Sequence, residues 1–106
     1  MPCKEFTPGV CDIGTRGTIC ASSQTGYIAA SVTSTLNCSF QYTIYLEQYN
    51  PVAQLWMNVA SRTGVASKSG TNHEFDPNYA DKREFRVRCV VLATNVTGTT
   101  GSFSHL

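Results

Sequence analysis

Five cysteines, two histidines and seven acidic residues are the groups in this 106-residue chain that could do covalent, metal or acid–base chemistry. The cysteines stand at positions 3, 11, 20, 38 and 89, spaced by eight, nine, eighteen and fifty-one residues, so no CxxC pair exists. A structural zinc site needs such close ligand pairs, and neither His73 nor His105 has a cysteine near it in sequence. His73-Glu74-Phe75-Asp76 gathers ligand types, but Pro77 follows and the segment reads as a solvated turn into a strand. Asp76, Asn78 and Asp81 offer oxygens without the glycine and terminal glutamate of a calcium loop. No nucleophile elbow or Cys-His motif accompanies Cys89 or any serine, and His105 sits next to the chain end. The chemistry-bearing residues therefore spell no metal, no cofactor and no catalytic site. The expectation is a protein that is not an enzyme.

The cysteines admit two other readings. Unpaired thiols are among the most buried groups in proteins and pack as small hydrophobes. Five cysteines in so short a chain, with only 14% charged residues, also fit an oxidising environment. An odd count leaves at least one thiol unpaired or pairing between chains. Residues 1–5, Met-Pro-Cys-Lys-Glu, lack the basic-then-apolar pattern of a secretion signal. The reading is a mature extracellular domain carrying an added Met1, or a virion protein released on lysis; an ordinary cytosolic protein with free thiols is the third alternative, disfavoured by the composition. The expected location is extracellular or a virion surface.

Charge excludes further classes. Eight basic against seven acidic residues leave a net charge of +1. Nucleic-acid binding needs clustered Lys and Arg to neutralise phosphates. No polybasic amphipathic stretch suits a membrane surface, and no apolar run approaches the ~20 residues of a spanning helix. No nucleic acid and no membrane are expected as partners.

Aromatic side chains are the better functional signal. Along Phe40–Glu47 the row Phe40, Tyr42, Ile44 and Leu46 alternates with Gln41, Thr43, Tyr45 and Glu47. Continued outward, the second row carries Tyr45 and Tyr49, with Trp56 beside them on the following strand. Tyr45, Tyr49 and Trp56 are the candidate binding residues. Tyrosine and tryptophan offer a large amphipathic contact area at low entropy cost, suited to another protein or to carbohydrate. The competing reading is that they merely cover the outer sheet face. Asn37-Cys38-Ser39 and Asn95-Val96-Thr97 also match the glycosylation acceptor pattern.

Strands must position these residues, because no segment carries helical periodicity. Residues 83–92 set Phe85, Val87, Cys89 and Val91 on one face and Glu84, Arg86 and Arg88 on the other. Residues 40–47 form a second strand ending at the Asn50-Pro51 turn. Leu55–Ala60 is a third, where Trp56, Met57 and Val59 demand a bulge or cover on both faces. Tyr27–Leu36 and Gly17–Ala21 read as strands, with short ones about Val65 and Ser102–Ser104, and Phe75–Tyr79 as a turn. Five to seven strands with regular turn punctuation predict an all-β, antiparallel two-sheet sandwich.

Tyr45-Leu46-Glu47, Trp56–Ala60, Phe85-Arg86-Val87-Arg88-Cys89, Asn95 and the Gly98–Ser104 tail together resemble the immunoglobulin-like sandwich of the fibronectin type III kind. The resemblance covers residues 40–104, with Phe85 where that family usually has Tyr. Similar strings occur in small secreted actinobacterial proteins and phage surface proteins. It implies an immunoglobulin-like sandwich, expected over 27–106; residues 1–26 lie outside the resemblance, and their Gly, Pro and Cys content without long apolar alternation predicts an irregular N-terminal arm with a short strand, one domain overall. Cys38 and Cys89 fall on inward rows, so a disulfide between them is expected, with all five thiols free as the alternative. The functional expectation is a structural or attachment module of an extracellular assembly, foremost a phage decoration or surface protein. Its partner is a capsid or surface-scaffold protein, or further copies of the chain. The alternative is a free secreted effector: a hydrolase inhibitor or a carbohydrate-binding module.

Overall fold

The computed structural model describes residues 2–35, 38–77 and 83–105. Among these residues there are nine β-strands and no helix: β1 (Cys3–Phe6), β2 (Gly17–Gln24), β3 (Tyr27–Ser34), β4 (Phe40–Asn50), β5 (Leu55–Ala66), β6 (Thr71–Phe75), β7 (Arg83–Val91), β8 (Thr97–Thr99) and β9 (Phe103–His105). Two antiparallel sheets result. One has the order β1-β2-β3-β6; the other has the order β5-β4-β7-β8, with β9 also paired to β7. This is an all-β sandwich whose strand order is compatible with an immunoglobulin-like arrangement.

The strongest alternation in the sequence occupies the middle of the five-stranded sheet. β4 and β7 pair with Ile44 opposite Cys89 and Leu46 opposite Val87. Their inward rows meet Ile19, Ala21, Ile28, Ala30, Val32 and Phe75 of the other sheet in one buried cluster. The anticipated bulge lies in β5. Ala60 faces Leu46 and Asn58 faces Glu47, which leaves Val59 as the extra residue. Trp56 thereby joins Tyr49 on the outer face, while Met57 lies on the opposite one.

Residues 1–26, expected as an arm, contribute β1 and β2 to the four-stranded sheet, and only 7–16 between them is irregular. A boundary at residue 26 would cut the β2–β3 hairpin, where Gln24 faces Tyr27. Phe6 is buried, and its ring lies so close to Gly17 and Gly98 that a Cβ on either would come within 2.6 Å of it. Both positions need the bare glycine backbone to admit that ring. β1 is thus held by a core side chain as well as by a cross-link.

The disulfides correct the expected Cys38–Cys89 pairing. Cys3 bonds to Cys20, its cross-strand partner, and Cys11 bonds to Cys38; Cys89 is a buried free thiol. Cys38 and Cys89 do share the interior, but at different heights. Cys89 is level with Ile44, which is about 20 Å along the chain from position 38 at strand rise, beyond the ~7 Å that a bridge spans. β6 runs through His73, Glu74 and Phe75, in place of the expected turn into a strand, while Asn78 and Tyr79 of the turn expected over Phe75–Tyr79 lie outside the described residues. The inward row of β6 is Thr71, His73 and Phe75, paired with Val32, Ala30 and Ile28. The two disulfides fit an oxidising environment.

Non-reducing peptide mapping should therefore return Cys3–Cys20 and Cys11–Cys38 linked peptides, with Cys89 alkylated only after unfolding. The bridges close 17 and 27 residues, each adding about 3 kcal/mol on the chain-entropy estimate, so reduction should lower the melting temperature. A peptide linking Cys38 to Cys89 would refute this connectivity.

Candidate functional site

Tyr45, Tyr49 and Trp56 lie on one surface, the outer face of the five-stranded sheet, and each is half-buried. Tyr49 faces Trp56 across the β4–β5 pair, with ring centroids 5.2 Å apart. The three aromatic residues anticipated from alternation are thus brought to one face. What covers them was not anticipated. Arg86 reaches from β7 across β4 to lie 4.4 Å over the Trp56 ring, and Arg88 lies 4.4 Å over Tyr45.

Glu47 organises this arrangement. It faces Arg86 in register, and Tyr45 faces Arg88. Arg86 Nε donates to Glu47 Oε1 at 2.8 Å and Arg88 Nε donates to Glu47 Oε2 at 3.2 Å. The Glu47 side chain is only 8% exposed, so its negative charge is largely removed from water, and both oxygens are matched by guanidinium donors. Such charge-assisted bonds are the stronger class of hydrogen bond. The result is a continuous row across three strands: Tyr45, Arg88, Glu47, Arg86, Trp56, Tyr49. Glu47, Arg86 and Arg88 were missed as site residues. Their signal was an Arg-x-Arg pair on one outer row and a single acid on another, which the cross-strand pairing rule turns into contacts once register is known.

Clefts lie both beside this face and elsewhere. One of about 580 Å³ is lined by Gln48, Tyr49, Asn50, Val52, Arg83 and Glu84 at the end of the row. Asn50 is already used there, its Oδ1 accepting from Val52 N and Ala53 N. A shallow groove of about 420 Å³ crosses the outer face of the other sheet, floored by small residues such as Ala29 and Ser31. A third, of about 380 Å³, opens between Val59, Arg62 and Phe75.

The other sequence candidates are separated by strand geometry. Consecutive residues of β6 alternate, so His73 turns inward while Glu74 is exposed. Among the described residues no group of three or more His, Cys, Asp or Glu side chains is placed to hold a metal ion. Asn78, Asp81 and Asn37 lie outside the described residues, while Asn95 is exposed at the turn after β7. Cys89 has its thiol pushed up to about 12 by burial, which keeps it protonated and unreactive. Among the described residues no helix is long and apolar enough to cross a membrane.

His73 instead joins the two sheets. Tyr42 Oη and His73 Nε2 are 2.6 Å apart, and Gly64 leaves the space for them, since a Cβ there would come within 2.6 Å of the hydroxyl. Burial, aided by the Arg62 charge, holds the His73 pKa below its ordinary value. Burial raises that of Tyr42, against an opposing hydrogen bond from Thr71.

No family model, curated protein or solved structure matches this chain. Its site is accordingly read from geometry.

Two outcomes are expected. Glu47→Gln should destabilise the fold by about 2 kcal/mol in denaturant titration, as loss of charged hydrogen bonds predicts, with a change in Trp56 fluorescence; an unaltered midpoint would show that the arginines do not hold Glu47 in solution. For His73, the unfolded chain takes up a proton near pH 6.5 and the native state resists it. Its contribution is therefore complete above that pH and is lost on acidification toward the lower native value. Melting temperatures from pH 7.5 to 5 should fall more steeply in the parent than in His73→Gln, and parallel curves would exclude the effect.

Proposed function

We propose that this chain is a non-catalytic attachment module that docks onto another protein of an extracellular assembly through the outer face of its five-stranded sheet. A virion surface is the foremost case. The observation that carries the reading is the row of six interlocked side chains from Tyr45 to Tyr49. Tyrosine, tryptophan and arginine are the residue types that dominate binding energy at protein interfaces. Here their rotamers are held before any partner arrives, which lowers the entropy cost of association.

Protein contact is favoured over carbohydrate by the same geometry. Sugars stack on open ring faces, whereas Arg86 lies over Trp56 and Arg88 over Tyr45. The fold supports a module of immunoglobulin type, closer to fibronectin type III. The B–E and C–F–G adjacencies of such sandwiches have counterparts in β3–β6 and β4–β7–β8. β5 occupies the further position beside β4, and β1 is an addition. The two disulfides support a working location outside a reducing cytosol.

A free secreted hydrolase inhibitor is the second reading, and one observation favours it. Ile13 is 95% exposed on a loop tied by the Cys11–Cys38 bridge and closed by the Thr15 N to Asp12 O bond. Arg16 Nη1 further donates to Ile13 O.

Tagged chain expressed in the organism that encodes it should co-sediment with a high-mass extracellular particle in many copies. The Tyr45→Ser/Tyr49→Ser double variant should stay in the unsedimented fraction with a melting temperature within a few degrees of the parent. Undiminished association of that variant would move the interface elsewhere. Recovery of the parent only as free protein, with hydrolase inhibition abolished by Ile13→Ser, would establish the second reading instead.

A further inference from the structure

We infer that Arg86 and Arg88 form a paired guanidinium receptor for an acidic side chain, Asp or Glu, presented by the partner polypeptide. The inference rests on the attachment reading and names the chemistry by which that face recognises its partner. Each arginine spends its Nε on Glu47, and among the described residues nothing bonds to the Nη groups of either. The two side chains are 31% and 29% exposed. Each side chain is thus partly open to solvent and has its Nη groups unspent, while the rest of each guanidinium is fixed by a ring on one face and a carboxylate on one edge.

That construction matters because arginine ordinarily loses much rotamer freedom when it binds. A planar fork held in place loses less for each hydrogen bond it forms and matches a carboxylate in bidentate fashion. Arg86 and Arg88 lie on one side of a single strand, two residues apart, which sets them about 7 Å apart at strand rise. Glu47 already shows that one carboxylate can engage both. A second carboxylate, from outside, would meet the same two cations at their unused ends.

Charge selects the ligand class. Within the row, two arginines against one glutamate leave a single positive charge, which one carboxylate neutralises. Among the described residues the outward positions around the row carry no further Lys or Arg with which to hold a dense polyanion: they are Thr43 of β4, Asn58, Ser61 and Thr63 of β5, Val90 of β7 and Thr99 of β8. Glu84 stands exposed two residues before Arg86 on the same outer row. Its repulsion directs an incoming acid toward the Arg88–Tyr45 end, leaving Trp56 and Tyr49 to meet apolar groups of the same partner. An acidic residue flanked by apolar ones is the partner motif this surface fits.

The probes are a hexaglutamate peptide, a hexaglutamine peptide and a fully sulfated hexasaccharide, titrated into the isotopically labelled full chain. Hexaglutamate should move the Nε–Hε resonances of Arg86 and Arg88 saturably, and hexaglutamine should leave them in place. In the Arg86→Lys/Arg88→Lys variant, which keeps the charge but not the fork, binding should weaken about tenfold, followed by backbone resonances of β7. Overturning results are no movement with hexaglutamate, equal affinity in the lysine variant, or tighter saturable binding of the sulfated sugar. Particle association provides the separate reading. A lysine variant that still co-sediments like the parent would sink acid recognition while leaving attachment standing, and loss of association only in the tyrosine variant would do the same.

Discussion

The register between β4 and β7 is the constraint from which both the core and the surface follow. With Leu46 opposite Val87 and Glu47 opposite Arg86, the rows Phe40, Tyr42, Ile44, Leu46 and Phe85, Val87, Cys89, Val91 all turn inward. The same alignment brings Glu47 under two arginines on the reverse side. A slip of one residue would send Phe85, Val87, Cys89 and Val91 to solvent and bury Arg86 and Arg88 among aliphatic chains. Core and site are therefore two faces of one pairing. The cost of burying Glu47 is offset only in that register, where both carboxylate oxygens find donors.

How much of this was legible in the sequence follows from how far each signal reaches. Strict alternation made β4 and β7 readable, and the conflict among Trp56, Met57 and Val59 announced the bulge. β1 escaped notice because three of its four residues are exposed; what holds it is Phe6 against two glycines far apart in sequence, a tertiary fact. β6 was hidden by an inward histidine. A polar residue in a core row looks like a turn until its partner is known, and the partner, Tyr42, lies 31 residues away.

The site divides along the same line. The outward placement of Tyr45 and Tyr49 is a local property of one strand and could be read directly. The stacking of Arg86 on Trp56 spans three strands and needs sheet order as well as register. The disulfide expectation failed for a related reason: period-two patterning fixes which face a cysteine occupies and says nothing about its height along the strand. Cys38 and Cys89 share a face, whereas Cys11, in an irregular segment with no pattern, is the residue that reaches Cys38.

The displaced Val59 has an effect beyond the site. β5 is the longest strand, at 12 residues, and among the described residues it has a neighbouring strand in its sheet on one side only. Its only charge is Arg62, so little electrostatic repulsion guards that border against a foreign strand. The extra residue supplies the guard by breaking the ladder into two offset halves, before and after Val59. An approaching straight strand can match the hydrogen-bond spacing of one half but falls out of step with the other. The irregularity that turns Trp56 outward thus also keeps the chain from growing sideways into a continuous sheet.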